Sequence, residues 1–456
     1  MKKILLSMMM LTIVCSAFAQ TPEEKAAAKA AAAAQKAAEK KAKDEVAKAK
    51  KLFDAGSALL VPDPYTKKAR THEDTLSAMD KFREGEVLLN AALSSGNVPE
   101  KQLYESWMTR KMIANHLMNY NLVKFNKEPF DTVECCQSIL TVTDGMENII
   151  KYHKKSDEVQ AKQAKLEAAN VMTMSTYMGY RSYFYVLMKD IENAAKALED
   201  YMAYPNRFAA VCPEIKNATP DPSYENLGFN IYLLSFNAKK YDLAEKFYDI
   251  AARYDDEQSH KFVLDSRPQM YLQQGDTAKW IAALEEVIEK EPKSANAEVA
   301  VQNLLAYYSK KGNDAMSAFA DKILARNPED KMGNYGKGHS LFAASKFEEA
   351  LEYFKKTIDA DPEFVEGYNM CGMCLYRQAA DNYFNKIDGK KFKTQAELNA
   401  AEEKLVKSIY RDAIVYFEAC REKAPNETSL WAGQLKTIYV NLGEKAKAEE
   451  MEQYLK

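Results

Sequence analysis

Residues 345–364 read SKFEEALEYFKKTIDADPEF. Phe347, Ala350, Leu351 and Phe354 fall at three- and four-residue spacings, so a helix here turns one apolar stripe inward and its Glu and Lys residues outward. Pro362 then stops it. The stretch carries no reactive group, and its regularity marks a building block rather than a site. Before it, residues 331–344 (KMGNYGKGHSLFAA) form a second helix of similar length. The chain has 456 residues, 47% hydrophobic and 28% charged, which leaves room for several such units. Only 16 Gly and 14 Pro punctuate it, and runs of alternating β-branched residues are missing. The fold class that follows is all-α.

Counted from Lys331, the two helices put Gly338, Leu341, Ala350, Phe354 and Pro362 at positions 8, 11, 20, 24 and 32. This pattern resembles the tetratricopeptide repeat (TPR), although Asn334 stands at position 4 where the family has Trp, and Lys337 at position 7 where it has Leu. The period supports it: Pro292, Pro328 and Pro362 are 36 and 34 residues apart. Tyr271 and Tyr307 occupy position 11 of the two preceding units, with Met316 at position 20 of the second. Farther upstream, Ala244 and Tyr248, then Ala194 and Leu198, occupy positions 20 and 24, with Tyr185 at position 11. Downstream come Gly372, Leu375, Ala413, Phe417 and Pro425, and a closing pair begins near Trp431. Small residues at 8 and 20 let two helices approach, and large ones at 11 and 24 fill the space beside them. One hairpin cannot bury that face alone, so the resemblance implies a helical-hairpin solenoid over residues 175–456. Residues 53–174 read as an irregular helical part.

One repeat is too long. Pro362 to Pro425 spans 63 residues, and the surplus lies between the two helices. Tyr376, Ala380, Tyr383 and Ile387 continue one apolar stripe, Thr394 and Glu397 form a capping box, and Asp388–Gly389 supplies a turn. A projecting antiparallel hairpin over about 380–408 is expected, presenting its tip to a partner or folding back over the repeats.

The chain opens MKKILLSMMMLTIVCSAFAQ, with Lys2 and Lys3 before an apolar run and Ala17-Phe18-Ala19 after it. That is a signal-peptide pattern over residues 1–19, cleaved after Ala19, and it implies a periplasmic or otherwise exported protein. Cys15 lacks the lipobox context, because Thr12 and Val14 stand where Leu and a small residue belong. No later apolar run is long enough to span a bilayer. Residues 20–52 are rich in Ala and Lys, start with Thr21, Pro22 and Glu24 as helix-opening residues, and hold few large apolar side chains. They are expected to form a helical spacer with nothing to bury it, touching the envelope peripherally through its lysines. From residue 53 on, the formal charge is about −9, which argues against nucleic acid as a ligand.

No cofactor, metal or catalytic set emerges. Cys371 and Cys374 share a C-x-x-C spacing, yet they sit inside a helix beside Gly372 and read, like Cys420, as small core residues. The five His form no metal-binding pair, and GNYGKGHS lacks the order of a phosphate loop. In the family, the first helix of each repeat lines a concave groove. The resemblance carries that role to Phe229, Leu233 and Phe236, to Val301, Leu305 and Tyr308, to Met332, Tyr335, His339 and Phe342, and to Met373, Tyr376 and Arg377. An aromatic and Met-rich groove suits an apolar peptide or helix. The expectation is a non-enzymatic scaffold for protein or peptide partners in the bacterial cell envelope, with glycan binding as the alternative.

Overall fold

A computed structural model describes residues 22–61, 70–125, 127–217 and 223–455; the signal-like segment, its cleavage point and Cys15 lie outside these. All regular structure among the described residues is helical. The chain divides into two compact units, one ending at Val263 and one running from Leu264.

The first unit holds α1 (Pro22–Leu60), α2 (His72–Ser94), α3 (Glu100–Lys124), α4 (Thr132–Tyr152), α5 (Glu158–Ala169), α6 (Val171–Leu187), α7 (Ile191–Phe208), α8 (Ser223–Asn237) and α9 (Tyr241–Ala251). The pairs α1/α2, α3/α4, α6/α7 and α8/α9 pack against each other. In α1, residues 22–37 are exposed all round. From Ala38 onward the expectation of an unburied spacer fails: Ala42, Ala49 and Gly56, seven residues apart, are buried. A Cβ on Gly56 would stand 2.7 Å from the Phe82 ring of α2. The fully buried positions of α1 are small residues that let the two helices approach closely, with Val46, Phe53, Leu59 and Leu60 packed beside them.

Helices of this unit are also tied by ion pairs. Arg83 donates to both Glu134 oxygens at 2.6 and 3.0 Å, and Asn121 Nδ2 adds a third bond at 2.9 Å. Burial pushes the Glu134 carboxyl up, but these donors outweigh it and hold the group below its ordinary value.

The boundary between units falls within α10 (Glu257–Gln274). Thereafter come α11 (Thr277–Lys290), α12 (Ala295–Ser309), α13 (Asn313–Arg326), α14 (Lys331–Ala343), α15 (Phe347–Ala360), α16 (Val365–Asn382), α17 (Gln395–Glu402), α18 (Ser408–Lys423), α19 (Ala432–Leu442) and α20 (Lys445–Glu452). From α11 to α16 each helix packs on the next in sequence, and α16 packs on α18 across the surplus segment. The small-to-large contacts are as the repeat demands. Ala350, Phe354, Ala413 and Phe417 are fully buried. A Cβ on Gly338 would sit 2.7 Å from the Phe354 ring, and one on Gly372 would sit 2.8 Å from Phe417. Each buried Phe contributes roughly 1.5–3 kcal/mol relative to exposure.

Five of the turns inside hairpins share one geometry. Ser345 has φ 60°, its N–H donates to Phe342 O at 2.9 Å, and Lys346 N–H donates to Leu341 O at 2.9 Å. The same pair of bonds closes the turns at Lys189, Lys239, Gly275 and Gly443, all with positive φ. The turn between hairpins has its own fastening at position 4. Asn334 Nδ2 donates to Pro328 O at 3.0 Å and Asp330 O at 2.9 Å, Tyr368 Oη to Pro362 O at 3.1 Å, and Trp431 Nε1 to Ala424 O at 3.2 Å.

In the long repeat, α16 runs on through a π-turn (Tyr383–Ile387), and α17 joins α18 through another (Glu403–Lys407). Gly389 takes φ 66° at the turn, and Thr394 caps α17 by accepting from Glu397 N–H at 3.1 Å. Ile387 and Val406 are buried, with Leu398 and Leu405 packed beside them. Asn382 Nδ2 donates to Leu405 O at 3.0 Å, across the two arms and into the second π-turn. Tyr383 departs from the expected inner stripe: it is exposed, its ring 5.6 Å from that of the exposed Phe384. Leu375 and Ala379, upstream of the π-turn, are buried, as is Ile387 at its end.

Candidate functional site

The residues carried over from the family groove do not all reach a surface. Val301, Leu305 and Met332 are buried, and a Cβ on Gly336 would meet Leu305 at 2.4 Å, so these three belong to the packing between hairpins. Met332 Sδ accepts from Gln302 Nε2 at 3.7 Å. The others are half-buried, except Arg377, which is exposed. In the first unit, Phe229 and Phe236 set their rings edge-on to Phe262 at 6.4 and 5.7 Å. In the second, Tyr308 stacks on Phe319 at 5.1 Å, Phe342 meets Phe347 at 5.2 Å, and Tyr376 meets Tyr410 at 5.9 Å. Met373 Sδ accepts from Gln434 Nε2 at 3.8 Å.

Tyr335 and His339 form the tightest part of this set. Their rings lie 4.5 Å apart, and Tyr335 also meets Phe354 at 5.8 Å and Phe364 at 5.2 Å. Phe354 lies 5.4 Å from His339. Burial pushes the Tyr335 hydroxyl up to about 12 and lowers the His339 imidazole from its usual range. These side chains fill their own space with aromatic edges and faces, so His339 is a neutral packing ring.

The cysteines in described segments are all buried and unpaired. Burial pushes the Cys374, Cys420, Cys135 and Cys136 thiols up to about 12, and the Cys371 thiol higher than its ordinary value as well. Such thiols are protonated and poorly nucleophilic at neutral pH. Among the described residues, no group of three or more His, Cys, Asp and Glu is placed to hold a metal ion, and no helix is long and apolar enough to cross a membrane.

The surface that sequence reasoning passed over lies on α6. Its run TYMGYRSYFYVL (176–187) is apolar or aromatic on every side, so one set of rings faces inward and another is left outside. Phe184 is buried among Phe125, Phe130 and Tyr180 at 5.0, 5.4 and 5.9 Å. Tyr180, Tyr183 and Leu187 share the outer face and keep 40, 39 and 58% of their surface exposed. Phe125 of the loop after α3 sits under both tyrosines, with ring centroids at 6.5 and 6.4 Å. Three large side chains at i, i+3 and i+7, supported from below by an aromatic cluster, form an exposed apolar face.

No family model matches the chain, and no curated protein is matched by its sequence. Among solved structures it is similar to the C-terminal part of a TPR repeat-containing protein of Cytophaga hutchinsonii. Identity is 13%, the match covers 60% of this chain and 92% of the other, and the TM-score is 0.34. A TPR repeats protein of Bacteroides fragilis is similar at 16% identity, with 61% and 98% covered and a TM-score of 0.30. The yeast Sti1 TPR2AB domain, solved as a complex with pHSP90, is similar at 16% identity, with 62% and 98% covered and a TM-score of 0.19.

Proposed function

We propose that this protein is an exported helical-repeat scaffold that binds protein partners in the bacterial cell envelope and catalyses nothing itself. The single observation that carries the binding half of this reading is the exposed α6 face. A helical partner laying its own apolar stripe across Tyr180, Tyr183 and Leu187 would cover the side-chain surface that the fold leaves exposed there. Their hydroxyls suit such a role, because a tyrosine offers an apolar body and a polar tip at low entropic cost. The envelope half rests on the signal-peptide pattern of residues 1–19.

Crosslinking in the native envelope followed by pull-down tests both. The expected result is a defined protein captured by the parent chain and lost with Y183D, while Y183D keeps the helical content of the parent. Capture that is indifferent to Y183D removes the α6 face from the reading. An intact mass that still includes residues 1–19 after fractionation removes the export.

A further inference from the structure

Lys25, Lys29, Lys36, Lys40 and Lys43 of α1 are all exposed, and none makes an ion pair or side-chain hydrogen bond with a described residue. At about 100° per residue they fall at about 0, 40, 20, 60 and 0° around the helix axis, one strip about 60° wide. On the same scale the buried Ala42, Ala49 and Gly56 lie at about 260, 240 and 220°, on the far side from that strip. A rise of about 1.5 Å per residue spreads the five lysines over about 27 Å. Glu39 and Asp44 flank the strip without pairing to any lysine of it. Elsewhere on α1, Lys41 pairs with Glu45, Lys48 with Glu84 and Lys50 with Asp54, while Lys51 is exposed.

We propose that this strip lies along an anionic lipid bilayer. Its form favours a smeared, flat surface charge over a shaped partner. The line is straight, its own charges are of one sign, and the residues between them are mostly alanines, which carry neither ring nor hydrogen-bonding group. With no bulky apolar side chain to insert, the attraction is Coulombic. Each lysine near such a surface multiplies partitioning by about fivefold, and the gain vanishes when salt screens it. The inference goes beyond the protein-binding reading and does not rest on it.

Sedimentation of the purified protein with vesicles of phosphatidylglycerol and phosphatidylcholine, against vesicles of phosphatidylcholine alone, tests it. The protein should pellet with the anionic vesicles at low ionic strength and be released near 1 M salt, where the Debye length is about 3 Å. K25Q/K29Q/K36Q/K40Q/K43Q should lower partitioning by at least about 100-fold. Gln and Lys have similar helix propensity, so circular dichroism should show α1 intact. Two lysines on the strip should count for more than two off it: K29Q/K36Q falling about 25-fold and K41Q/K48Q less than about fivefold. Equal partitioning of the five-site variant and the parent overturns the proposal. So does a loss from K41Q/K48Q as large as that from K29Q/K36Q.

Discussion

Asn334 donates through Nδ2 to the Pro328 carbonyl at 3.0 Å, and one hairpin later Tyr368 makes the same connection to Pro362 at 3.1 Å. The two differ in surroundings: Asn334 is fully buried, whereas the Tyr368 bond is exposed to water. Replacing Asn334 with Leu removes two hydrogen bonds, each worth about 0.5–1.5 kcal/mol, and should cost about 1–3 kcal/mol. Y368F exchanges one hydrogen bond for another to water and should cost under about 0.5 kcal/mol. Urea unfolding of both variants checks the difference; equal losses would mean the bond acts through something other than burial.

Ser345 and Lys239 hold positive φ at turns where Gly275 and Gly443 stand elsewhere in the chain. A left-handed backbone costs a residue with a Cβ roughly 1–2 kcal/mol, part of which glycine loses again through its unfolded-state entropy. S345G and K239G are therefore each expected to stabilise by about 0.5–1 kcal/mol, visible as a higher Tm. A lower Tm would show that the side chain does more at the turn than occupy it.

The hairpin over residues 383–407 packs on itself through Ile387, Leu398, Leu405 and Val406. Replacing residues 380–408 by a Gly-Asn turn should leave a single cooperative thermal transition and similar helicity per residue by circular dichroism. A broad, multi-step melt would reveal that the insert supports its neighbours.

His339 is held neutral by burial among Tyr335 and Phe354, so its folded pKa lies below its unfolded value of about 6.5. The unfolded chain then binds more protons than the folded one as pH drops below about 6.5, and stability falls with it. Above that pH the imidazole is neutral in both states and contributes no slope. H339F should flatten part of the decline in Tm between pH 7 and pH 5. His116, stacked on Phe82 at 4.7 Å and likewise lowered by burial, accounts for another part, so H339F alone leaves a residue of slope.

The repeat was legible because its signal is one of contrast: Gly338 against Phe354, and Gly372 against Phe417, recur at fixed spacing and differ in size as much as side chains can. Position 4 hid its logic. Asn, Tyr and Trp share neither size nor hydropathy, only an N–H or O–H that reaches a turn carbonyl. The packing of α1 was hidden for a related reason. Ala42, Ala49 and Gly56 contribute by being small, and in an Ala-rich stretch no scale of apolarity separates the alanines that face α2 from those that face water. On α6 the obstacle was the reverse, since rings on every side leave no periodic contrast to read. The half-buried groove residues fall between these cases. Helix register locates them, but whether Val301 or Tyr308 reaches the surface depends on how closely the next hairpin is stacked.

Each π-turn in the long repeat is one surplus residue in an otherwise regular helix, and the two sit on facing arms clasped by Asn382 and Leu405. One residue amounts to about 100° of helix phase. The bearing of the hairpin tip is thereby set independently of its length, by two insertions rather than by the many residues between them. A lineage that lost Asn385 from one arm and Lys404 from the other would keep the arms and swing the tip to a new azimuth, a steering change available to evolution in two small steps.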